Sequence, residues 1–140
     1  MKNLRFIFVF FVFAGLASCS NDDDGNGTAD GNRIVGVWKI QSHSIDGVEL
    51  ELSDCELQSR ISFLANGNIS VTDRYEDFET EECVSDIYTQ KWEYRGNNIY
   101  RITEEDVSQD VTIIFSNNNN TFKVSMEDED GSYSATYVRV

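Results

Sequence analysis

Three dense runs of carboxylates stand out in the 140-residue chain, Glu79-Thr80-Glu81-Glu82, Glu104-Glu105-Asp106 and Glu127-Asp128-Glu129-Asp130. Two carboxyls about 5 to 10 Å apart are the machinery of glycoside hydrolysis, and a run like the last can bind calcium weakly. Each run falls at an expected turn, however, where acids are solvated and serve solubility. Nucleophilic catalysis needs a Ser or Cys with a positioned base, and the chain has one histidine, His43, at the end of the first expected strand, where a surface position is the simpler reading. Zinc needs three or four His, Cys or carboxylate ligands clustered together, and one histidine, with the cysteines committed elsewhere as set out below, does not supply that set. The expectation is a protein with no catalytic residues, no metal and no cofactor.

The residues that remain must therefore bind rather than react, and composition limits what they bind. The chain carries 11 Lys+Arg against 25 Asp+Glu. Removal of an N-terminal segment containing Lys2 and Arg5 leaves 9 against 25, a net charge of −16. A field of that sign repels phosphate backbones and anionic headgroups, which disfavours nucleic acid. The segment in question is Lys2 and Arg5 followed by the apolar run Phe6 to Ala17, small residues and Cys19. Its 12 apolar residues are too few to span a bilayer, which takes about 20, and the n-region, h-region and small-residue pattern is that of an export signal.

Leu16-Ala17-Ser18-Cys19 resembles the lipobox of bacterial lipoproteins, in which cleavage precedes the cysteine and the thiol carries diacylglycerol. The resemblance implies a signal peptide over residues 1–18 and lipidation at Cys19. It also settles the odd cysteine count of an exported chain, because it leaves Cys55 and Cys83 as a disulfide pair. Ser20-Asn21-Asp22-Asp23-Asp24 resembles the acidic signal by which Bacteroidetes send lipoproteins to the outer face of the outer membrane, with a periplasm-facing location as the alternative. Residues 19–32 read as a lipidated, flexible acidic tether, since Ala29 is the only apolar side chain between residues 20 and 32. Asp22-Asp23-Asp24-Gly25-Asn26-Gly27 matches the first half of an EF-hand loop, but Arg33 stands at its twelfth position, where a bidentate Glu is required.

From residue 33 to 140 apolar residues recur with period two between turn residues, the signature of strands. Ile34, Gly36, Trp38 and Ile40 share one face of a first strand. Ile61 and Phe63, then Ile69, Val71 and Tyr75, flank the hairpin signal Ala65-Asn66-Gly67-Asn68. Ile87 to Tyr94, Ile99 to Thr103, Val111 to Phe115, Phe122 to Met126 and Tyr133 to Val140 complete about eight strands. The chain has no Pro, so its turns fall to Asn, Asp and Gly. Short connections predict an all-β, antiparallel up-and-down meander, closed into a small barrel or, alternatively, folded as a sandwich.

Gly36-Val37-Trp38 resembles the G-x-W signature of the lipocalin and calycin group, and Tyr137-Val138-Arg139 its terminal arginine. With Cys55 before Arg60-Ile61-Ser62-Phe63, and with Trp92-Glu93-Tyr94, the order is similar to the lipocalin-like domain of Bacteroidetes lipoproteins. The resemblance implies that Arg139 lies over the Trp38 ring beside Gly36 at a closed end of the barrel. It further implies a small apolar or amphipathic ligand at the other end, in a monomer that meets the membrane only through its lipid anchor. The candidate cavity residues are Phe63, Tyr88, Trp92 and Phe122, with Ile69, Ile113 and Val124, all placed at the end opposite Trp38. A barrel this small fills from its own side chains as readily as it encloses a ligand. From a different class, the alternative function is a surface interaction module that presents its acidic face to a cationic protein or polymer.

Overall fold

A computed structural model of the chain describes residues 32–128 and 130–140. A short 3-10 turn, Asn32–Ile34, leads into nine strands: β1 (Gly36–Ile45), β2 (Val48–Leu50), β3 (Arg60–Phe63), β4 (Asn68–Glu76), β5 (Cys83–Gly96), β6 (Ile99–Glu104), β7 (Val107–Ser116), β8 (Thr121–Asp128) and β9 (Gly131–Arg139). A second 3-10 turn, Glu56–Gln58, precedes β3. From β3 onward each strand pairs antiparallel with the next, and β1 closes the circuit by pairing with both β3 and β9. Eight strands thus form a closed barrel. The sheet has no free edge along β1 or β9, which is how a meander of this length avoids templating aggregation.

The ninth strand, β2, was not expected from the sequence, where Val48 to Leu50 offers only three residues and two exposed positions. It folds back on the upper half of β1 across the Asp46-Gly47 turn, pairing Ile45 with Val48. Ile34, expected on the first strand, instead sits in the 3-10 turn and is fully buried beneath the barrel. The turns take the residues that tolerate left-handed backbone: Asn97 and Asn98 between β5 and β6, and Asn117, Asn118 and Asn119 between β7 and β8, all have positive φ.

The core gathers at one end. Ile34, Trp38 and Tyr100 are wholly buried, with Phe63, Ile69, Ile113 and Phe122 packed around them. The rings meet mostly edge to face or tilted, as the quadrupoles of aromatic rings favour: Trp38 to Phe122 at 4.7 Å, Tyr94 to Tyr100 at 5.0 Å, and Phe63 to Phe122 at 6.3 Å between centroids. At this level the barrel is filled by its own side chains.

Arg139 finishes the closed end. Its guanidinium lies 4.2 Å from the Trp38 ring centroid. It donates to the carbonyls of Val35 (2.8 Å), Arg33 (2.7 Å) and Asn119 (3.2 Å). The Trp38 indole N–H donates to the Ile34 carbonyl at 2.7 Å. The turn under the barrel is therefore held from the first strand and from the last. Gly36 has φ +140, and a Cβ there would land on the Arg139 guanidinium, so the small residue makes room for the arginine.

Candidate functional site

Alternation along the registers decides which side chains enter the barrel. In β4 the inward set is Ile69, Val71 and Asp73, since the first two are buried and Asp73 follows them with period two. Their partners on β5 are Gln90, Tyr88 and Asp86. On β9 Ala135 is buried, which puts Tyr133 and Tyr137 on the same inner face. Opposite Ala135 on β1 stands His43, reached after a bulge between Ile40 and Ser42. On β6 Tyr100, Ile102 and Glu104 face inward.

Above the aromatic floor the interior is mixed, with Ile102, Val124 and Met126 beside polar groups. Tyr88, Tyr133 and Tyr137 enter from β5 and β9, and Asp73, Asp86 and Glu104 stand nearer the rim. Asp73 and Asp86 are exposed although they point inward, which marks the mouth of the barrel as open to water. The Tyr75 hydroxyl donates to Asp86 at 3.1 Å, and the Gln90 amide donates to Glu104 at 2.9 Å. His43 meets the edge of Tyr133 with centroids 6.3 Å apart. It is thus an interior residue at the mouth, not the surface histidine expected, because the bulge in β1 shifts the alternation by one and turns it inward.

The electrostatics tie these groups into one neighbourhood. Burial pushes the Tyr88 hydroxyl up to about 12, helped by the nearby charges of Asp73, Glu104 and Asp86. Burial likewise raises Tyr137 and Tyr133, with Asp73 adding to both. Asp73 reaches solvent at the rim, yet loss of water to the surrounding wall holds its carboxyl above the usual range. The Ser59 hydroxyl opposes that rise, and the Asp86 charge adds to it.

The wall beside Asp73 is completed by a clasp. Above the four-residue β3, the upper half of β4 lacks a strand partner on that side, and the segment with the Glu56–Gln58 turn fills the gap. Ser59 receives the Arg74 backbone N–H at 2.9 Å and its hydroxyl contacts Asp73. Cys55 is bonded to Cys83 at the start of β5, so the segment is stapled across the end of β4.

Three of the four candidate cavity residues lie elsewhere than expected. Phe63 sits opposite Gly36 on β1, and Phe122 rests on Trp38, so both belong to the floor at the Trp38 end. Trp92 joins them, with its ring 6.2 Å from Phe63 and its N–H donating to the Leu64 carbonyl at 2.9 Å. Ile69 and Ile113 are likewise part of that packed core. The physical reason is that the strands run nearly the full height of the barrel, so apolar residues early in β4 or late in β5 fall at the bottom. Only Tyr88 of the four lies in the upper lumen. Gly36, Trp38 and Arg139 do come together, while Cys19 is outside the described residues.

Sequence reasoning passed over Asp73, Asp86, Tyr133 and Tyr137 as site residues, and took Glu104 for part of a solvated turn. The signal was present: Asp73 continues Ile69 and Val71 at period two, and Asp86 stands two before Tyr88. Two hollows, of about 490 Å³ beside Lys91, Glu93 and Arg101 and about 310 Å³ beside Lys39 and Leu57, lie on the outer wall and not in the lumen. The sequence profile described as the lipocalin-like domain matches residues 34–136, nearly the whole barrel. No curated protein matches the chain.

Proposed function

We propose that this chain, which belongs to the lipocalin-like domain family, binds a small amphipathic molecule in the upper half of the barrel. The observation that carries the reading is the sharp division of the interior. A sealed aromatic floor, on which Tyr137 stacks through Phe122, gives way to Tyr88 and Tyr133 and then to the exposed Asp73 and Asp86 at the mouth. Tyrosine offers an apolar ring and a hydroxyl, which suits a ligand with an apolar body and a polar end. Because Trp38, Phe63 and Phe122 fill the lower barrel, the site is shallow and fits a compact molecule better than a long acyl chain. The role is binding and not catalysis.

The same proposal places the domain in the cell envelope. The apolar run before Cys19 and the acidic stretch after it support an exported lipoprotein of the outer membrane, tethered through Cys19 and exposed at the cell surface.

Titration with the neutral fluorophore N-phenyl-1-naphthylamine tests the reading. Saturable, one-to-one binding that Tyr88→Ala weakens at least fivefold, and that Ile87→Ala on the outer wall leaves unchanged, is the expected result. Binding that is unsaturable, or that ignores Tyr88, would overturn it.

A further inference from the structure

The charged residues of the barrel are sorted by face. Among the described residues of the strands, Lys39, Arg60, Arg74, Lys91, Arg101 and Lys123 alternate with the inward set and so point outward, Arg95 is exposed and paired with Glu93, and Arg139, the inward exception, is at the closed end. Asp73, Asp86 and Glu104 point inward near the mouth. The upper lumen thus combines three carboxylates and, with Tyr75 on Asp86, four tyrosines beside His43, with no lysine or arginine among the described residues that face it. Arg101, the cation of β6, is turned out and engaged with Asp110 at 2.8 Å.

A second observation concerns the hydroxyls. Tyr137 is enclosed by the wall and stacks on Phe122 at 4.9 Å, while its far end faces Tyr133, Tyr88 and Asp73. Its hydroxyl makes no hydrogen bond among the described residues, although every fully buried side-chain polar atom there is satisfied. It is therefore not wholly closed off, on the side where Tyr133 and Tyr88 lie. Tyr137 has one face on Phe122, which leaves Tyr88 and Tyr133 as the aromatic rings beside it, and an aromatic ring attracts a desolvated cation.

We propose that the ligand of the upper lumen is an organic cation, an amine or quaternary ammonium carried on a compact apolar body, with Asp73 and Asp86 as its counter-charges and the tyrosines as its cage. A metal ion is the poorer fit, since among the described residues no three His, Cys, Asp or Glu side chains converge to hold one. An anionic amphiphile would meet uncompensated carboxylates at the mouth. This inference rests on the small-molecule reading above and adds the sign of the ligand's charge.

Three probes with one skeleton test it: 2-(1-naphthyl)ethylammonium, 2-(1-naphthyl)ethanol and 1-naphthylacetate, titrated by calorimetry at low salt. The expected order is cation over alcohol by at least tenfold, with the acetate weakest. Asp73→Asn with Asp86→Asn should bring the ratio of cation to alcohol affinity close to one. Glu49→Gln with Glu127→Gln, which removes two charges from the outer wall, should leave the ratio high and so exclude a general effect of net charge. As a check that needs no variant, the ratio in the intact protein should fall as NaCl rises from 20 to 500 mM. Equal binding of all three probes, or loss of preference in the outer-wall variant as well, would overturn the cation inference while sparing the small-molecule reading. Binding of none of them would overturn both.

Discussion

Replacing Arg139 with alanine removes a side chain that ties the last strand, the first strand and the 3-10 turn together. Three contributions can be set against its removal. The guanidinium stands 4.2 Å from the ring centroid of a fully buried tryptophan, a desolvated geometry worth about 1 to 2 kcal/mol. Its bonds to the Arg33 and Val35 carbonyls, at 2.7 and 2.8 Å, are charge-assisted, and such bonds contribute about 1.5 to 3 kcal/mol each where water cannot replace them. Both are only part-buried, so water recovers much of that second contribution. The stem packing over Trp38 adds a smaller amount. The expected net loss is about 2 to 4 kcal/mol, which for a domain of this size lowers Tm by roughly 10 to 20 °C. Urea denaturation followed by tryptophan fluorescence measures it as a lower midpoint at unchanged slope. Arg139→Lys keeps the charge but not the planar fork, and should recover less than half. A loss below about 1 kcal/mol, the range of an ordinary surface deletion, would refute the assignment of Arg139 as the clasp of the closed end.

Three further outcomes are expected, two from the structure and one from the sequence. Cys55→Ser with Cys83→Ser opens a loop whose closure entropy is worth roughly 3 to 4 kcal/mol, read as a drop in the urea midpoint that reductant reproduces in the native protein. Asp73→Asn should stabilise the domain at pH 7 and lose that advantage by about pH 3. The folded-state pKa of Asp73 is raised, so its contribution is favourable only while the carboxyl is protonated and disappears as pH climbs through the folded pKa; denaturation midpoints at the two pH values check this. Cys19→Ala should move the protein from the membrane to the soluble fraction of fractionated cells, and an unchanged membrane fraction would contradict the anchor.

Much of the fold was legible because the chain writes its strands in period two and its turns in Asn and Gly. The closure of β1 on β9 and the seat of Arg139 on Trp38 match what the order of G-x-W and the terminal arginine implied. What could not be read was height. Period two tells which way Phe63, Trp92 and Phe122 point, but their level in the barrel depends on strand stagger, which is set by long-range registers such as Gly36 to Phe63. The bulge after Ile40 is a similar case: one extra residue with no sequence signature reverses the faces of all that follow, and so carries His43 inside. Asp73, Asp86 and Glu104 were missed for a third reason. Inward acids break the rule that polar residues face water, and the rule fails at the mouth, where the interior is itself wet.

The central claim is that the open, tyrosine-lined half of the barrel is the binding site. Ring-13C-tyrosine NMR during titration with N-phenyl-1-naphthylamine tests it most directly, because the six tyrosines of the chain divide between the two halves. The account predicts saturable shifts at Tyr88, Tyr133 and Tyr137, with Tyr94 and Tyr100 in the floor unmoved. Shifts confined to the floor, or none at saturating fluorophore, would contradict it.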